Sequence, residues 1–367
     1  MTVAEWPEAE MDEVRSNTGP GFPASETVNL SAAHDLSAGG DVMDRVRECA
    51  AEALRAYRAH PDTVIDLLNV SENATFLVSD PDAGPSVLRV HRLGYHSEPE
   101  IASELAWMDA LRAEAGVRTP RILPAADGRR IVSVAEPGGA GPRPARHCVR
   151  FEFLPGVEPD GALTGSHFAE LGEITARMHQ HARRWARPDW FTRFDWDYPA
   201  AFGPAARWGR WQDGIGVGPA EREVLTRLDD VLRARLAAFG TGPARYGLVH
   251  ADTRLANLLV HDGSVSVIDF DDSGFSWYLY DLGTSVSFFE HAPEVPALVD
   301  SWLEGYRRAG ELTARDQAEI WTFIMFRRLL LVAWIGSHPG VDIAAELGAG
   351  YTRGSCDLAE SYLSRHA

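Results

Sequence analysis

Positions 248 to 283 read LVHADTRLANLLVHDGSVSVIDFDDSGFSWYLYDLG, and no other stretch says as much about the chain. It contains His250 and Asp252, then Asn257 five residues after the aspartate, then Asp269 at the end of an apolar run. An aspartate and an asparagine across a short loop, followed by a second aspartate after a hairpin, are what ATP-dependent phosphoryl transfer needs. The stretch therefore predicts phosphotransfer chemistry.

Each of these residues has an expected role. Asp252 can accept the proton of an attacking hydroxyl, and Asn257 and Asp269 offer hard oxygen ligands to Mg²⁺. The expected cofactors are Mg²⁺ and ATP, with GTP as an open alternative. Two other interpretations exist: ordinary turn chemistry of Asp and Asn, and a different metal-dependent site. The apolar strand at hairpin distance, with Tyr280-Asp281-Leu282 behind it, favours phosphotransfer.

The composition restricts the class of protein. With 367 residues the chain is long enough for two lobes, and 45% hydrophobic with 24% charged residues is typical of a soluble globular protein. Its three cysteines lack metal-type spacing, which indicates free thiols in a reducing cytoplasm. No export signal and no membrane-spanning run is apparent, so we expect a cytoplasmic protein without a membrane partner. A net charge of −18 argues against nucleic acid and is compatible with a cationic substrate, although solubility explains it equally simply.

Secondary-structure patterns divide the chain into an arm and two lobes. Residues 1–40 lack periodicity and predict a flexible N-terminal arm. Residues 41–150 read as a helix, short β-strands, a second helix with Ser97 as N-cap, and further strands, and we assign them to a nucleotide-binding N-lobe. Residues 151–367 read as mostly helical and predict a C-lobe with the catalytic loop and the acceptor site.

From about residue 41 onward, the chain resembles the aminoglycoside phosphotransferase and choline-kinase-like superfamily. The resemblance is strongest at HADTRLANLLV and VIDFDD, where every position of the H-x-D-x-x-x-x-N and I-D-F/W patterns is filled. It implies an α+β, two-lobed protein-kinase-like fold, with a small, mostly antiparallel β N-lobe carrying one main helix and a larger, mostly helical C-lobe. It also implies Asp252 as base, Asn257 and Asp269 as metal ligands, His250 as a brace of the loop and Asp281 as a structural cap that holds it.

In the N-lobe the resemblance points to Arg89, which stands where the family has a phosphate-binding lysine. Arginine offers a planar fork rather than a point charge, so it can still grip phosphate. Its expected partner is Glu104, on an apolar helical face. Alternatively, Arg89 is a surface residue of an edge strand.

The remaining nucleotide contacts are expected at two places. The turn between the first two strands contains no glycine, so Ser71, Asn73 and backbone amides are the candidates to cover the triphosphate, although a plain hairpin turn is an alternative. Glu152 and Phe153 lie in the strand that resembles the adenine-binding hinge, where backbone groups make the hydrogen bonds.

The expected partner is a small hydroxylated acceptor, which could carry a positive charge. The sequence does not indicate an oligomeric state. A segment rich in tryptophan and broken by Pro and Gly, 185–211, offers either a substrate wall or staples for an irregular insertion. Five aspartates are candidates to attract the amine of a substrate: Asp195, Asp197, Asp213, Asp271 and Asp272. Arg254 pairs either with the transferred phosphate or with an acidic neighbour. A stress-response-type protein Ser/Thr kinase and a non-catalytic nucleotide-binding protein are the competing hypotheses.

Overall fold

The structure is a computed structural model that describes residues 39–70, 73–138, 143–159, 164–339 and 341–366. Ser71 and all but the last two residues of the expected arm fall outside these ranges. A predominantly antiparallel β-sheet occupies the first part of the described chain, and helices fill most of the rest. This is the two-lobed, kinase-like α+β arrangement that the sequence predicted.

Six strands form the sheet, in the spatial order β1-β2-β3-β6-β4, with β5 also paired to β6. Their bounds are β1 Val64–Val70, β2 Ala74–Asp80, β3 Gly84–Val90, β4 Ile122–Leu123, β5 Val132–Ala135 and β6 Ala145–Glu152. Every pairing is antiparallel. Arg89 pairs with Thr75 on one side and Val149 on the other, so β3 is an interior strand and Arg89 is not on an edge.

Two helices accompany the sheet. Helix α1, Gly39–Ala56, buries an apolar stripe that includes Val42, Val46 and Cys49, and it lies against β3, β5 and β6. Helix α2, Glu98–Ala110, has Ser97 as its N-cap, as expected from the sequence, and the side chains of Ser97 and Glu100 form a reciprocal capping box. The chain continues through a π-helical turn, Leu111–Ala115.

The rest of the described chain consists of eight helices, four short strands and two 3₁₀ turns. The helices are α3 Gly165–Arg184, α4 Tyr198–Phe202, α5 Pro219–Phe239, α6 Tyr280–Ser285, α7 Val295–Ala309, α8 Ala314–Gln317, α9 Ile320–Ser337 and α10 Asp342–His366. The strands are β7 Tyr246–Val249, β8 Leu258–His261, β9 Ser264–Val267 and β10 Gly274–Trp277, which pair as β7 with β10 and β8 with β9. The 3₁₀ turns are Trp211–Asp213 and Leu255–Asn257.

Helix α9 corrects the expectation that the sequence contains no apolar run long enough to span a membrane. It is long and apolar enough to cross a membrane by length and composition, with a mean hydropathy of 1.4 over 18 residues. Yet 78% of that window is buried inside the protein, and two arginines, Arg327 and Arg328, interrupt it. The position and charges of the helix are those of a core helix, because surrounding helices bury it on nearly all sides.

Helices α3 and α7 approach each other most closely at two glycines. A Cβ atom on Gly172 would lie 2.0 Å from the Trp302 carbonyl oxygen, and one on Gly305 would lie 1.7 Å from that of Ala169. Backbone oxygens cannot move aside as a side chain can, so only glycine allows this packing. The close crossing supports the loop that β7 leads into, since α3 also packs on β7.

We expect Gly305→Ala to lower the free energy of unfolding by about 2–3 kcal/mol, because the added methyl group forces the two helices apart. Chemical denaturation followed by circular dichroism measures the change. Gly242→Ala is the matched control, since no atom lies within 4 Å of the position its Cβ would occupy. Equal stabilities of the two variants would contradict the close-packing interpretation.

Candidate active site

The loop that follows β7 carries the first group of predicted residues. It runs from His250 to the 3₁₀ turn at Asn257, and Ala251 adopts a left-handed conformation with φ 68°. A non-glycine residue in this region stores strain and persists only where surrounding contacts impose it. The contacts come from below the loop, where Asp281 lies fully buried in the first turn of α6.

Asp281 holds the loop through its backbone. Its carboxylate accepts hydrogen bonds from the amides of His250 at 3.1 Å and Ala251 at 2.7 Å, and from the His179 ring at 2.9 Å. Asp281 therefore holds the loop, as the resemblance implied, but it does not cap its helix as was also expected, because Leu279 occupies the N-cap position and makes no side-chain cap. The carboxylate is directed to the loop instead.

His250 connects the loop to the next segment. Its Nδ1 accepts a hydrogen bond from the Asp252 amide at 3.3 Å, so Nε2 carries the proton and donates to the Ile268 carbonyl at 3.1 Å. The ring is buried against Phe270, with 4.4 Å between ring centroids. The contacts are those of a side chain that fixes Asp252 relative to Asp269.

Three side chains bind the Asp252 carboxylate. Oδ2 accepts from Asn257 Nδ2 at 2.7 Å and from Arg254 Nε at 3.2 Å. Oδ1 accepts from Arg327 Nη2 at 2.5 Å. Burial raises the pKa of this carboxyl, but the charges of Arg327 and Arg254 outweigh burial and hold the pKa below its ordinary value. Asp252 is therefore ionised at neutral pH.

Arg327 is a site residue that the sequence reasoning missed. It comes from helix α9, is 2% exposed, and also donates to the Tyr280 hydroxyl at 3.1 Å and to Ser287 Oγ at 3.0 Å. A signal was present, because two arginines in the run IMFRRLLLVAWI must find partners if the helix is buried. The sequence does not say which partners.

Asp269 lies on the segment beside the loop, because the Ile268 amide donates to the Asn257 carbonyl at 2.9 Å. Its backbone is left-handed, with φ 59°, and its side chain is 41% exposed. Asp269 Oδ1 accepts no hydrogen bond. The Asn257 amide nitrogen is committed to Asp252, which leaves its side-chain oxygen for another partner.

The Asn257 side-chain oxygen and the Asp269 carboxylate are suitable ligands for a hard divalent cation. No group of three or more His, Cys, Asp or Glu with metal-holding geometry occurs among the described residues. Mg²⁺ in phosphoryl-transfer sites needs only one or two protein oxygens, since phosphate oxygens and water complete its shell. The donor set of Asn257 and Asp269 is therefore compatible with Mg²⁺.

Arg89 bridges the sheet to this segment. Its Nη1 donates to Glu104 Oε1 at 2.8 Å and to Asp271 Oδ1 at 3.3 Å, while Nη2 lies 3.1 Å from Asp269 Oδ1. Burial lowers the pKa of the guanidinium, but the three carboxylates more than offset this and raise it. The Arg89–Glu104 pair forms as the sequence predicted, and the guanidinium reaches the metal-binding candidate.

The other predicted nucleotide contacts are placed less directly. Asn73 lies in the turn between β1 and β2 and lines the same cleft as Asp252 and Asp269. The Glu152 carboxylate is paired with Arg121, and its backbone amide donates to the Arg121 carbonyl at 2.8 Å. Phe153 follows directly after β6, whose Phe151 ring lies 5.0 Å below the Arg89 guanidinium.

A solvent-open cleft connects Asp252 and Asp269 to an aromatic wall. It is lined by Asn73, Trp208, Asp252, Arg254, Asp269, Asp271, Asp272, Phe288, Arg327, Leu331 and Trp334. The Trp334 ring lies 6.0 Å from Phe288 and 6.5 Å from Trp208. Of the tryptophans in the 185–211 segment, only Trp208 lines this cleft, while Trp196 and Trp211 are buried in the core and Trp190 is 55% exposed.

Most of the aspartates that were expected to attract an amine bind other groups of the protein. Asp195 accepts from the Tyr246 hydroxyl at 2.8 Å, and Asp197 caps α4 by accepting from the Ala200 amide at 2.9 Å. Asp271 is 5% exposed and surrounded by donors. Asp272 lines the cleft and accepts from the Tyr95 hydroxyl at 2.8 Å.

Comparisons with known proteins agree with this geometry. The model of the phosphotransferase enzyme family matches residues 63–321. The structure of a microcompartment-associated aminopropanol kinase is 49% identical in sequence, with a TM-score of 0.80 over 87% of this chain and 98% of that one. Amicoumacin kinase from Bacillus subtilis (strain 168) is 24% identical over 83% of this chain and 90% of its own length.

A further solved structure shares the fold. It is the amicoumacin kinase hAmiN in complex with AMP-PNP, Ca²⁺ and Ami, which is 23% identical with a TM-score of 0.70 over 87% of this chain and 96% of that one. The family match covers more than half of the chain and includes the loop, the hairpin and Arg89. The chain belongs to the phosphotransferase enzyme family and is a kinase that uses an alcohol group as its phosphoryl acceptor.

Proposed function

We propose that the protein transfers the γ-phosphoryl group of ATP to the hydroxyl of a small, amine-bearing alcohol. Asp252 is the base in this proposal, and Asn257 and Asp269 hold Mg²⁺. The observation that carries it is a single cleft in which Asp252 and Asp269 face an aromatic wall formed by Trp208, Phe288 and Trp334. A phosphate-binding end and an acceptor-binding end thus meet at the reacting carboxylate.

The nucleotide end is built around Arg89 and Asp269. Arg89 is buried, permanently charged and aligned by Glu104, so it is suited to bind the α- and β-phosphates. Asn257 and Asp269 present oxygens on neighbouring segments. A bound Mg²⁺ supplies charge neutralisation of the phosphate oxygens. Glu152 and Phe153 belong to the proposed adenine end, where backbone groups at the end of β6 carry recognition.

The Asp252 carboxylate orients the acceptor and takes its proton. Oδ2 already accepts two hydrogen bonds, whereas Oδ1 accepts one, from Arg327, and keeps a lone pair for the acceptor hydroxyl. As the acceptor oxygen bonds to the γ-phosphorus, the bond from phosphorus to the bridging oxygen breaks and ADP leaves. The hydroxyl proton passes to Asp252. Phosphoryl transfer through a loose transition state depends more on the positions of the reacting groups than on the strength of the base. A carboxyl with a lowered pKa, which is a weak base, can therefore fill this role.

The acceptor end favours a compact cation. Four aspartates line the cleft against two arginines, so its field is negative. Three aromatic rings line the same cleft, and ring faces attract an ammonium group. The 49% identical relative is described as an aminopropanol kinase, which supports an amino alcohol of similar size. A protein acceptor is disfavoured because the chain between Asp272 and Gly283 is short and forms β10 and the start of α6 rather than a peptide platform.

We expect Asp252→Asn to reduce phosphoryl transfer by roughly 10³-fold, because the amide cannot accept the hydroxyl proton. Transfer of ³²P from Mg·ATP to 1-amino-2-propanol measures the loss, and isothermal titration with Mg·AMP-PNP checks that nucleotide still binds. Asp300→Asn, an exposed carboxylate on α7, serves as the control. Turnover like that of the wild type in Asp252→Asn would refute the assignment of the base. Label found only on a protein mixture would replace the small acceptor with a protein.

We expect 1-amino-2-propanol to be preferred over 1,2-propanediol, its neutral isostere, by about tenfold in kcat/KM, because only the amine gains from rings and carboxylates. Trp334→Leu should reduce that preference severalfold by removing one ring face. Trp190→Leu is the matched control, since this tryptophan is 55% exposed and does not line the cleft. If Trp334→Leu leaves the preference for the amine over the diol unchanged, the aromatic wall does not contribute to recognition of the positive charge.

A further inference from the structure

Asp271 collects polar groups from the sheet lobe. Its Oδ2 accepts from Asn73 Nδ2 at 2.9 Å and lies 3.2 Å from His96 Nε2. Its Oδ1 accepts from Arg89 Nη1 at 3.3 Å and lies 3.6 Å from His91 Nδ1. All four partners precede residue 97, whereas Asp271 follows the β8–β9 hairpin. A carboxylate that is 5% exposed therefore joins the two lobes at the site.

Asn73 uses its side chain to tie the start of β2 to Asp271. Its Nδ2 donates to Asp271, and its Oδ1 accepts from the Arg92 amide at 3.1 Å. The residue is 7% exposed and immediately precedes β2. Because both ends of the amide are engaged, Asn73 acts on a nucleotide by fixing the position of the chain at the start of β2.

The same carboxylate fixes the segment that carries Asp269. Asp269 is left-handed, and this strained conformation persists only if the chain is held on both sides. On one side the Ile268 amide donates to the Asn257 carbonyl. On the other side Asp271 is anchored through its carboxylate, and its own carbonyl accepts from Arg193 Nη2. The two anchors keep the Asp269 side chain turned into the cleft.

We propose that Asp271 is a positioning residue that fastens Asn73, at the start of β2, and Arg89 to the Asp269 segment, so that the phosphate-binding and metal-binding side chains are held in fixed relative positions around ATP. The inference rests on the proposed ATP site and adds a residue to it. Its carboxylate form is required, because an amide at this position would turn an N–H group toward at least one of the surrounding donors. The contact between Asn73 and Asp271 spans 198 residues and forms only when the two lobes are together.

Nucleotide binding without acceptor tests the proposal. We expect Asp271→Asn to raise the Kd for Mg·AMP-PNP roughly tenfold and Asn73→Ala to raise it severalfold, because both remove a buried hydrogen bond to a charged group. The double variant should bind no worse than Asp271→Asn alone, since the two residues act as one unit. In Asn73→Ala the KM for the amino alcohol should stay within about twofold of the wild-type value, because this change removes neither a ring of the aromatic wall nor a carboxylate of the cleft.

Asn69→Ala is the matched control, because it removes the same side chain from an exposed position on β1. If the increases in Kd caused by Asn73→Ala and Asp271→Asn multiply in the double variant, the proposal is overturned. Multiplied increases are the result expected if the two residues contact the nucleotide independently. An unchanged Kd in Asp271→Asn would overturn it as well. A wild-type protein that binds no Mg·AMP-PNP would instead refute the proposed function itself.

A second measurement covers the case in which Asp271→Asn does not fold. Asn73→Ala alters only the residue that precedes β2, and Asn73 reaches the Asp269 segment through Asp271. The proposal therefore predicts that this variant needs severalfold more Mg²⁺ for half-maximal AMP-PNP binding. An unchanged Mg²⁺ requirement in Asn73→Ala would overturn the proposal without any variant of Asp271.

Discussion

The buried carboxylate of Asp281 is the interaction on which the catalytic loop depends. It accepts the amides of two consecutive loop residues, His250 and Ala251, and takes a third hydrogen bond from His179. A charge at zero exposure is tolerated only where donors satisfy it fully, and here the donors belong to the loop and to helix α3. The left-handed Ala251 is a consequence of this arrangement, and it turns Asp252 toward the cleft. Loop geometry and helix packing are thus parts of one structure.

Charge pairing organises the rest of the site in the same way. Arg327 and Arg254 hold the two oxygens of Asp252, and Arg89 is shared by carboxylates that come from both lobes. Ion pairs of this kind add little net stability, because desolvation cancels much of their attraction. They do restrict geometry, since a guanidinium fork has fixed donor directions. The site therefore gains defined positions for its reactive oxygens, which phosphoryl transfer between loosely bonded groups requires.

Neighbouring residues of one helix show how the fold divides its tasks. Arg327 and Arg328 follow each other in α9, so their side chains point about 100° apart around the helix axis. Arg327 reaches Asp252 in the cleft, whereas Arg328 pairs with the buried Glu290 and stacks on Tyr351 of α10. One arginine thus binds the Asp252 carboxylate in the cleft and the other fastens the helix beside it. Helix α9 is consequently both the core of the helical lobe and one wall of the site.

The sequence was informative where the structure is local. The β-strands, the capped helix at Ser97 and the order of catalytic loop and hairpin were predictable, because turn chemistry and residue period act over a few positions. The Arg89–Glu104 pair was also within reach, since strand β3 and helix α2 are neighbours in the chain. The predicted cap at Asp281 was wrong, because its carboxylate binds two loop amides 30 and 31 residues earlier and the His179 ring 102 residues earlier, and no pattern around residue 281 indicates these partners.

By itself, therefore, the sequence determined the chemistry: the spacing of Asp252, Asn257 and Asp269 is set by a strand, a loop and a hairpin that fold locally. Only the tertiary structure decided what surrounds that chemistry. Arg327 lies 75 residues from Asp252, and Asn73 lies 198 residues from Asp271. The aromatic wall likewise brings together Trp208, Phe288 and Trp334 from three separate segments. Such contacts depend on how helices and lobes pack, and packing is a property of the whole chain that no short pattern encodes.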